Sequence, residues 1–383
     1  MNLRRSNNGS TLSPLPAEAL PAGQPVVLSE ESFQRMISLE RKRSERSRKP
    51  FLLMLVDMGG YVPSERSTKV LGSILSALAL STRETDVTGW YKHAVVVGVM
   101  FTEIGLADRA SALGTMITRV SETLKSTLSF EQFNQVSLSF HLFPEDWNHD
   151  DEKRPSNPRL YPDLEKRDES RKLFNTVKRA MDIGGSLFAL IVFAPLWLAI
   201  ALAIKLTSKG PVLFRQRRIG QHGAPFTFFK FRSMHVDNDA STHREYVQKL
   251  IAGKAERHPS GENGRGVYKI TKDSRITAVG AFLRRTSLDE MPQFINVLCG
   301  EMSLVGPRPP VPYEVEAYDF WHRRRLLEVK PGITGLWQVS GRSRVKFDDM
   351  VRLDLQYAQN WSPWMDLKII LRTPGAMVGE GAV

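Results

Sequence analysis

The chain has one cysteine, Cys299, in 383 residues. It can form no internal disulfide and build no cysteine-based zinc cluster, so a reducing compartment is its natural setting and any metal must take oxygen ligands. Acids are in deficit, with 41 Asp+Glu against 53 Lys+Arg and a formal net charge of +12. Such an excess selects anionic partners, whether lipid head groups, phosphorylated substrates or nucleic acid, and charge alone does not choose among them. The amino end lacks the apolar stretch of an export signal: basic residues are followed by Ser, Pro and Asn, and residues 1–26 read as a flexible tail. Long apolar runs are absent except one, over residues 183–204. The length exceeds what one compact core usually holds, so two units are expected.

Residues 27–144 read as a small α/β domain. Phe51–Val56 has the length of a buried strand. Val70, Leu71, Ile74, Leu75, Leu78 and Leu80 follow at helical spacing. Strands at 87–91 and 95–101 pair across a turn at Lys92-His93. A second helix carries Ala112, Met116, Ile117, Val120 and Leu124, and an alternating strand starts at Val136. The order β-α-β-β-α-β is ferredoxin-like. It also resembles the diguanylate cyclase (GGDEF-type) fold. Arg83-Glu84-Thr85-Asp86 has the R-x-x-D pattern of that family's inhibitory nucleotide site, which makes Arg83 and Asp86 candidates for cyclic di-GMP binding. A plain salt bridge or helix-end cap is the bland alternative. Where the signature should stand the chain reads Lys92-His93-Ala94-Val95-Val96. The phosphate-approaching glycines and metal-holding acids are missing, so the domain is read as degenerate and as regulatory or dimer-forming, with a homodimer among the expected partners. Residues 145–172, rich in charge, Pro and Asn, read as a linker.

The apolar run has the length of a membrane segment, but Pro195 interrupts it and must kink a helix there. Lys178 and Arg179 precede the run; Lys205 and Lys209 follow it. The positive-inside tendency marks both ends as cytoplasmic, which predicts a re-entrant hairpin rather than a crossing. A buried helix of a soluble domain is the alternative.

The chemistry-bearing motifs lie in residues 173–383. Pro211–Gly223 and Phe226–Met234 alternate apolar and basic residues around a turn and read as a hairpin, with Lys230 and Arg232 on one face. Arg284-Arg285-Thr286-Ser287-Leu288-Asp289-Glu290-Met291-Pro292-Gln293 sets two carboxylates beside two guanidinium groups, near the start of a helix reaching Leu298. Ser287-x-x-Glu290 fits a capping box; alternatively Pro292 takes the first helical position and leaves the acids in the entering turn. Either way the nearby positive charge is expected to keep both acids ionised. An ionised aspartate is a competent nucleophile toward phosphorus, and a neighbouring carboxylate can hold the magnesium that neutralises a diphosphate. In Gly306-Pro307-Arg308-Pro309-Pro310, prolines stiffen a loop that presents Arg308 for phosphate. Lys330–Arg342, KPGITGLWQVSGR, reads as a glycine-punctuated turn and strand in which Gln338 and Arg342 could contact a base or phosphate.

Phe231-Arg232-Ser233-Met234, TSLDEMPQ, GPRP and KPGITGLWQVSGR together resemble the bacterial sugar transferase family, the monotopic phosphoglycosyl transferases. That resemblance implies an α+β, membrane-embedded catalytic domain. It implies that Asp289 attacks the β-phosphate of a UDP-sugar and releases UMP, that Glu290 binds Mg2+, and that undecaprenyl phosphate accepts the sugar phosphate. Lys230, Arg232, Arg285, Arg308, Gln338 and Arg342 are the expected substrate contacts. The expected location is the bacterial inner membrane, with both domains on the cytoplasmic side and no nucleic acid bound. A catalytically inactive membrane scaffold is the alternative reading.

Overall fold

The structure is a computed structural model and describes residues 27–58, 65–102, 104, 109–144, 157–164, 166, 171–235, 241–255, 275–341 and 344–378. The expected tail, most of the expected linker and Arg342 lie outside them. The chain divides into two compact units after Pro144.

The first unit contains α1 (Glu30–Ser47), β1 (Phe51–Asp57), α2 (Glu65–Ser81), β2 (Val87–Lys92), β3 (Val96–Phe101), α3 (Arg109–Thr127), α4 (Phe130–Gln135) and β4 (Ser137–Phe143). The sheet order is β2-β3-β1-β4, with every neighbouring pair antiparallel, which is the expected ferredoxin-like topology. One face packs on α2 and α3 through Leu52, Met54, Val56, Ile74, Leu78, Val120 and Leu124. Leu80 and Ile117, assigned to the apolar faces from their spacing, are exposed. The other face carries α1, which the sequence analysis had not resolved. Ser29 caps it by accepting from Ser32 N–H, Glu30 and Glu31 sit in its first turn, and Phe33 and Ile37 are fully buried. The glycines of β2 and β3 make room for it: Gly89 and Gly98 are paired across the strands, and Phe33 lies over both. A Cβ built on Gly89 would lie 2.6 Å from Phe33 Cβ. Burying that phenylalanine contributes about 2–3 kcal/mol.

The second unit contains α5 (Lys172–Val192), α6 (Ala194–Thr207), β5 (Leu213–Ile219), β6 (Pro225–Phe231), α7 (Ser241–Ile251), α8 (Ala278–Thr286), α9 (Gln293–Cys299), β7 (Ser303–Val305), α10 (Pro312–Glu316), α11 (Phe320–Glu328), β8 (Gly332–Thr334), α12 (Leu336–Ser340), α13 (Phe347–Asn360) and α14 (Pro363–Val378). β5 and β6 form the expected antiparallel hairpin, and β7 pairs with β8 in parallel. The GLWQ segment departs from the expected strand. The strand stops at Thr334, and residues 336–340 close a short helix, with Val339 N–H donating to Gly335 O.

Among the described residues no single helix is long and apolar enough to cross a membrane, but α5 and α6 pass together as a pair bent by 62°. The break falls at Phe193, and Pro195 occupies the first turn of α6, where its missing N–H costs nothing. The cations before the run are not free topological signals. Lys178 pairs with Asp366 at 2.6 Å and donates to Val305 O and Tyr357 Oη, while Arg179 donates to Val297 O and Leu298 O at the end of α9. Asp182 accepts from Ser303 Oγ and Leu304 N–H, both at 2.9 Å. The first half of α5 is therefore bolted to the core. Its second half and α6 expose Ile183, Leu187, Phe188, Ile191, Leu198 and Leu202.

Candidate functional site

The site is assembled where α8 ends. Thr277 caps that helix by accepting from Gly280 N–H at 2.9 Å. Gly280 lies against the backbone of Ser233, so closely that a Cβ would sit 2.6 Å from its carbonyl carbon. The stretch after β6 and the first turn of α8 are thus pressed together, helped by Thr277 N–H donating to Ser233 O. At the far end Ser287 adopts the left-handed conformation (φ 54°) and terminates α8; a 3-10 turn, Leu288–Glu290, follows, and Pro292 precedes α9. The capping box is not formed. Ser287 faces backwards as a C-cap, and its side chain makes no cap bond to the following turn. The acids occupy the entering turn instead, as the alternative based on Pro292 required.

Asp289 is 2% exposed, and its Oδ2 lies 2.7 Å from Lys230 Nζ. The same ammonium is 3.7 Å from Glu290 Oε1, on a side chain 38% exposed. One cation of β6 therefore bridges a buried carboxylate and a solvent-facing one. Asp289 is not held in the low range expected from its basic neighbours. Burial pushes its carboxyl up, Lys230 opposes this, Glu290 adds to it, and Arg284 opposes it more weakly. Asp289 Oδ2 is buried, and Lys230 is its close partner.

The pairing is held by a residue the sequence analysis did not single out. Asn296, fully buried on α9, accepts from Phe229 N–H (3.1 Å) and donates to Thr227 O (2.7 Å) and to Glu301 Oε2 (2.6 Å). It satisfies the edge of β6 on the side away from β5, and so fixes Lys230 against the turn that carries Asp289. An asparagine inside an apolar helix pattern was the only sequence signal for it.

The expected substrate residues separate. Lys230 is in the site. Arg232 is not: it follows the end of β6, is 5% exposed, and donates to Ser208 O, Ser208 Oγ and Lys209 O, closing the carboxyl end of α6. Strand alternation placed it beside Lys230, but the strand stops at Phe231. Of the arginine pair, Arg284 faces Asp289, whereas Arg285 points outward over the exposed Phe282 ring, 6.0 Å from its centroid. Arg308 is half-buried, pairs with Glu314 at 3.3 Å, and feels the Glu290 charge. Its loop is gripped by side chains absent from the sequence reading: Arg325 donates to Arg308 O (2.7 Å) and Arg218 to Pro309 O (2.8 Å). Burial and neighbouring Arg308 push the Arg218 guanidinium down to about 10. Arg325 is paired with Asp354 at 3.3 Å, and burial drives the Asp354 carboxyl up to about 7. Gln338 donates to Ile333 O at 3.3 Å, and its buried Oε1 has no hydrogen-bond partner among the described residues. In the first unit, the Asp86 carboxylate accepts from Arg83 N–H at 2.8 Å. That is the turn-capping geometry of the bland alternative.

Among the described residues no cluster of three or more His, Cys, Asp or Glu could cage a metal. Asp289 and Glu290 nevertheless fit the way Mg2+ is commonly held, by one or two carboxylates together with substrate phosphates.

The catalytic-type carboxylate also belongs to the apolar bend. Leu288 and Met291, on either side of the acids, pack with Leu283 and Phe231 against Ile200, Ile204 and Trp197 of α6.

Comparison with known proteins identifies the family of the second unit. A family described as bacterial sugar transferase matches residues 173–380. The exopolysaccharide production protein ExoY of Rhizobium meliloti is 40% identical over 217 residues, covering 55% of this chain and 90% of ExoY. The galactosyl transferase CpsE of Streptococcus agalactiae is 43% identical over 207 residues, covering 54% of this chain and 43% of CpsE. An undecaprenyl-phosphate galactose phosphotransferase of Salmonella typhimurium is 43% identical over 202 residues, covering 51% of this chain and 39% of its own length. This chain thus spans less than half of the last two relatives. A solved DGC protein from Thermotoga maritima aligns with 31% of the chain at 20% identity and a TM-score of 0.26.

Proposed function

The chain belongs to the bacterial sugar transferase family, and we propose that it transfers a hexose 1-phosphate from a UDP-sugar to undecaprenyl phosphate at a membrane surface, releasing UMP, as the first membrane step in assembling an exopolysaccharide-type glycan. The observation that carries this reading is a buried carboxylate, Asp289, paired with Lys230 at 2.7 Å and flanked by residues packed on the bent apolar helix pair. The arrangement sets a phosphorus-directed nucleophile beside the segment best suited to enter lipid. In this reading α5 and α6 form a re-entrant hairpin, and the second unit lies on the cytoplasmic side of the inner membrane.

An Asp289 oxygen attacks the β-phosphorus of the donor. The bond from that phosphorus to the bridging oxygen breaks, and UMP departs with the electron pair. Lys230 keeps Asp289 ionised against its burial and offers a positive charge to the transferred phosphate. Arg284 adds a second charge nearby, and Arg308 supplies one on the Glu290 side. Undecaprenyl phosphate then attacks the same phosphorus, the Asp289 carboxylate leaves, and a diphosphate-linked sugar is formed. Asp289 and Glu290 would hold Mg2+, which supplies neutralisation of the diphosphate charge.

The test is UMP release from UDP-glucose and UDP-galactose by detergent-solubilised protein with Mg2+ and undecaprenyl phosphate. Replacing Asp289 with Asn should lower the rate roughly 10⁴-fold or more, the usual cost of losing a covalent nucleophile, and abolish phosphosugar labelling. A variant that still acquires label would refute the assignment.

A further inference from the structure

Arg218 is a buried cation without a counter-ion. It is 9% exposed, lies over the Phe228 ring 4.9 Å from its centroid, and donates from Nε to Gln216 Oε1 (3.0 Å) and from Nη1 to Pro309 O (2.8 Å). Among the described residues no acceptor meets its Nη2 and no carboxylate pairs with it. The carboxylates whose charge reaches it are committed elsewhere: both oxygens of Glu314 accept from Arg308 Nη1 at 3.3 Å, and Glu290 lies 3.7 Å from Lys230. Burial and Arg308 lower the Arg218 guanidinium only to about 10, so it stays charged at neutral pH. A buried charge left unpaired is costly unless an anion completes the site.

The hairpin register says which anion. Arg218 stands opposite Phe226 on β6, and Phe214 opposite Lys230. Cross-strand partners share a face, so Arg218, Phe228 and Lys230 line one side of the hairpin. By lying over Phe228 the guanidinium reaches a point two strand residues from Lys230, about 7 Å along β6. Through Pro309 O it also adjoins Arg308. A diphosphate with one phosphate at Lys230 and Asp289 would present its other phosphate to these two guanidinium groups. Leu213 and Phe231, on the opposite face, pack on Ile200, Ile204 and Trp197 of α6, which is the side from which a lipid phosphate would come.

We propose that Arg218 is a substrate-binding residue which, beside Arg308, holds the phosphate of the nucleotide donor that departs as UMP, while Lys230 serves the phosphate that is transferred. The proposal rests on the donor reading given above and deepens it by dividing the diphosphate between two ends of one hairpin face. Arg218 then has two tasks: Nη1 steadies the Arg308 loop, and Nη2 meets the leaving phosphate. A charge-assisted hydrogen bond of this kind makes UMP affinity depend on Arg218 by roughly 10- to 10²-fold.

The experiment is calorimetric titration of the detergent-solubilised full chain with UMP, as a double-mutant cycle over Arg218→Gln and Arg308→Gln. Each single change should weaken UMP, and Arg218→Gln should weaken it further in the Arg308→Gln background, because the two groups hold the phosphate separately. A second loss that vanishes in that background would mean that Arg218 acts only by holding the loop, and overturns the proposal. Should the glutamine variant fail to fold, Arg218→Lys takes its place: one ammonium lacks the arginine fork that serves the Pro309 carbonyl and the phosphate together, so UMP should weaken about tenfold. Affinity equal to wild type in Arg218→Lys would overturn the proposal. The kinetic arm separates the sources of phosphate: Arg218→Gln should raise KM for the UDP-sugar and leave KM for undecaprenyl phosphate unchanged, and the reverse would make the pocket an acceptor site and overturn it. Wild-type protein that binds inorganic phosphate through Arg218 but ignores UMP would also overturn it. Wild-type protein that binds neither would overturn the donor reading itself.

Discussion

Replacing Asn296 with Leu removes a buried side chain that joins α9 to the free edge of β6, with little change in volume. Phe229 N–H would lose the acceptor Asn296 Oδ1 in a half-buried position, at a cost of about 1–3 kcal/mol for an orphaned donor. Thr227 is exposed, so its carbonyl can turn to water, and this loss is smaller, about 0.5–1 kcal/mol. Glu301 also loses a donor at 2.6 Å. The sum is about 3 kcal/mol, which for a unit of this size lowers its melting transition by roughly 6–12 °C. The functional effect should be out of proportion to stability at lower temperature, because the same bonds hold Lys230 against Asp289. Well below the transition, kcat should fall while KM for the UDP-sugar changes little. Asn296→Asp keeps the acceptor for Phe229 but sets a carboxylate against Glu301, and should be less stable than wild type in a pH-dependent way. Differential scanning fluorimetry and UMP release report the two quantities. An Asn296→Leu protein that melts with wild type and turns over normally would falsify the claim that this side chain frames the site.

Removing the Lys230 ammonium takes away the largest force opposing the burial of Asp289. The acidic limb of the pH profile of kcat/KM should therefore move to higher pH in Lys230→Gln and stay near its wild-type position in Lys230→Arg; a depressed rate with an unmoved limb would assign Lys230 to the phosphate alone. In the first unit, Gly98→Ala forces a methyl into the Phe33 ring and should destabilise by about 1–3 kcal/mol. Phe33→Ala should recover part of that loss in a double-mutant cycle, and strict additivity would argue against the contact. Asp354, with its carboxyl raised to about 7, binds a proton in the folded state that the unfolded chain has released above about 4. Its contribution to stability is therefore present at low pH and declines as pH rises from about 4 to 7, by an order-of-magnitude 4 kcal/mol. Asp354→Asn should flatten that part of a melting-temperature profile, and an unchanged slope would place the titration elsewhere.

The acidic pair, Lys230 and the proline break were legible because each rests on a local rule: adjacent carboxylates before a proline, alternation in a hairpin, a missing N–H. The errors arose where one backbone angle redirects a side chain. Ser287 in the left-handed region turns a capping box into a helix stop. Arg284 and Arg285 differ by one step of about 100° around α8, enough to send one inward and the other outward. Arg232 was misplaced by extending strand periodicity one residue beyond the strand. α1 carried a readable cap and an apolar stripe, but its many charged residues hid them, and the Gly89–Gly98 gap that receives Phe33 exists only after the strands pair. Asn296, Arg218 and Arg325 work through contacts distant in sequence, and composition and spacing do not encode these.

Leu288 and Met291 share their apolar packing with α6, while Lys178, Arg179 and Asp182 pin the other arm of the bend to the strands and helices behind the site. The carboxylate and the bent pair are therefore parts of one rigid piece, and the distance from Phe193 at the bend to Asp289 is a built-in depth gauge. Under the proposed re-entrant placement and mechanism, lengthening α6 by one turn, about 5.4 Å of helix, would lift the Asp289 oxygen away from the plane expected for a lipid phosphate, without altering any residue proposed to touch substrate.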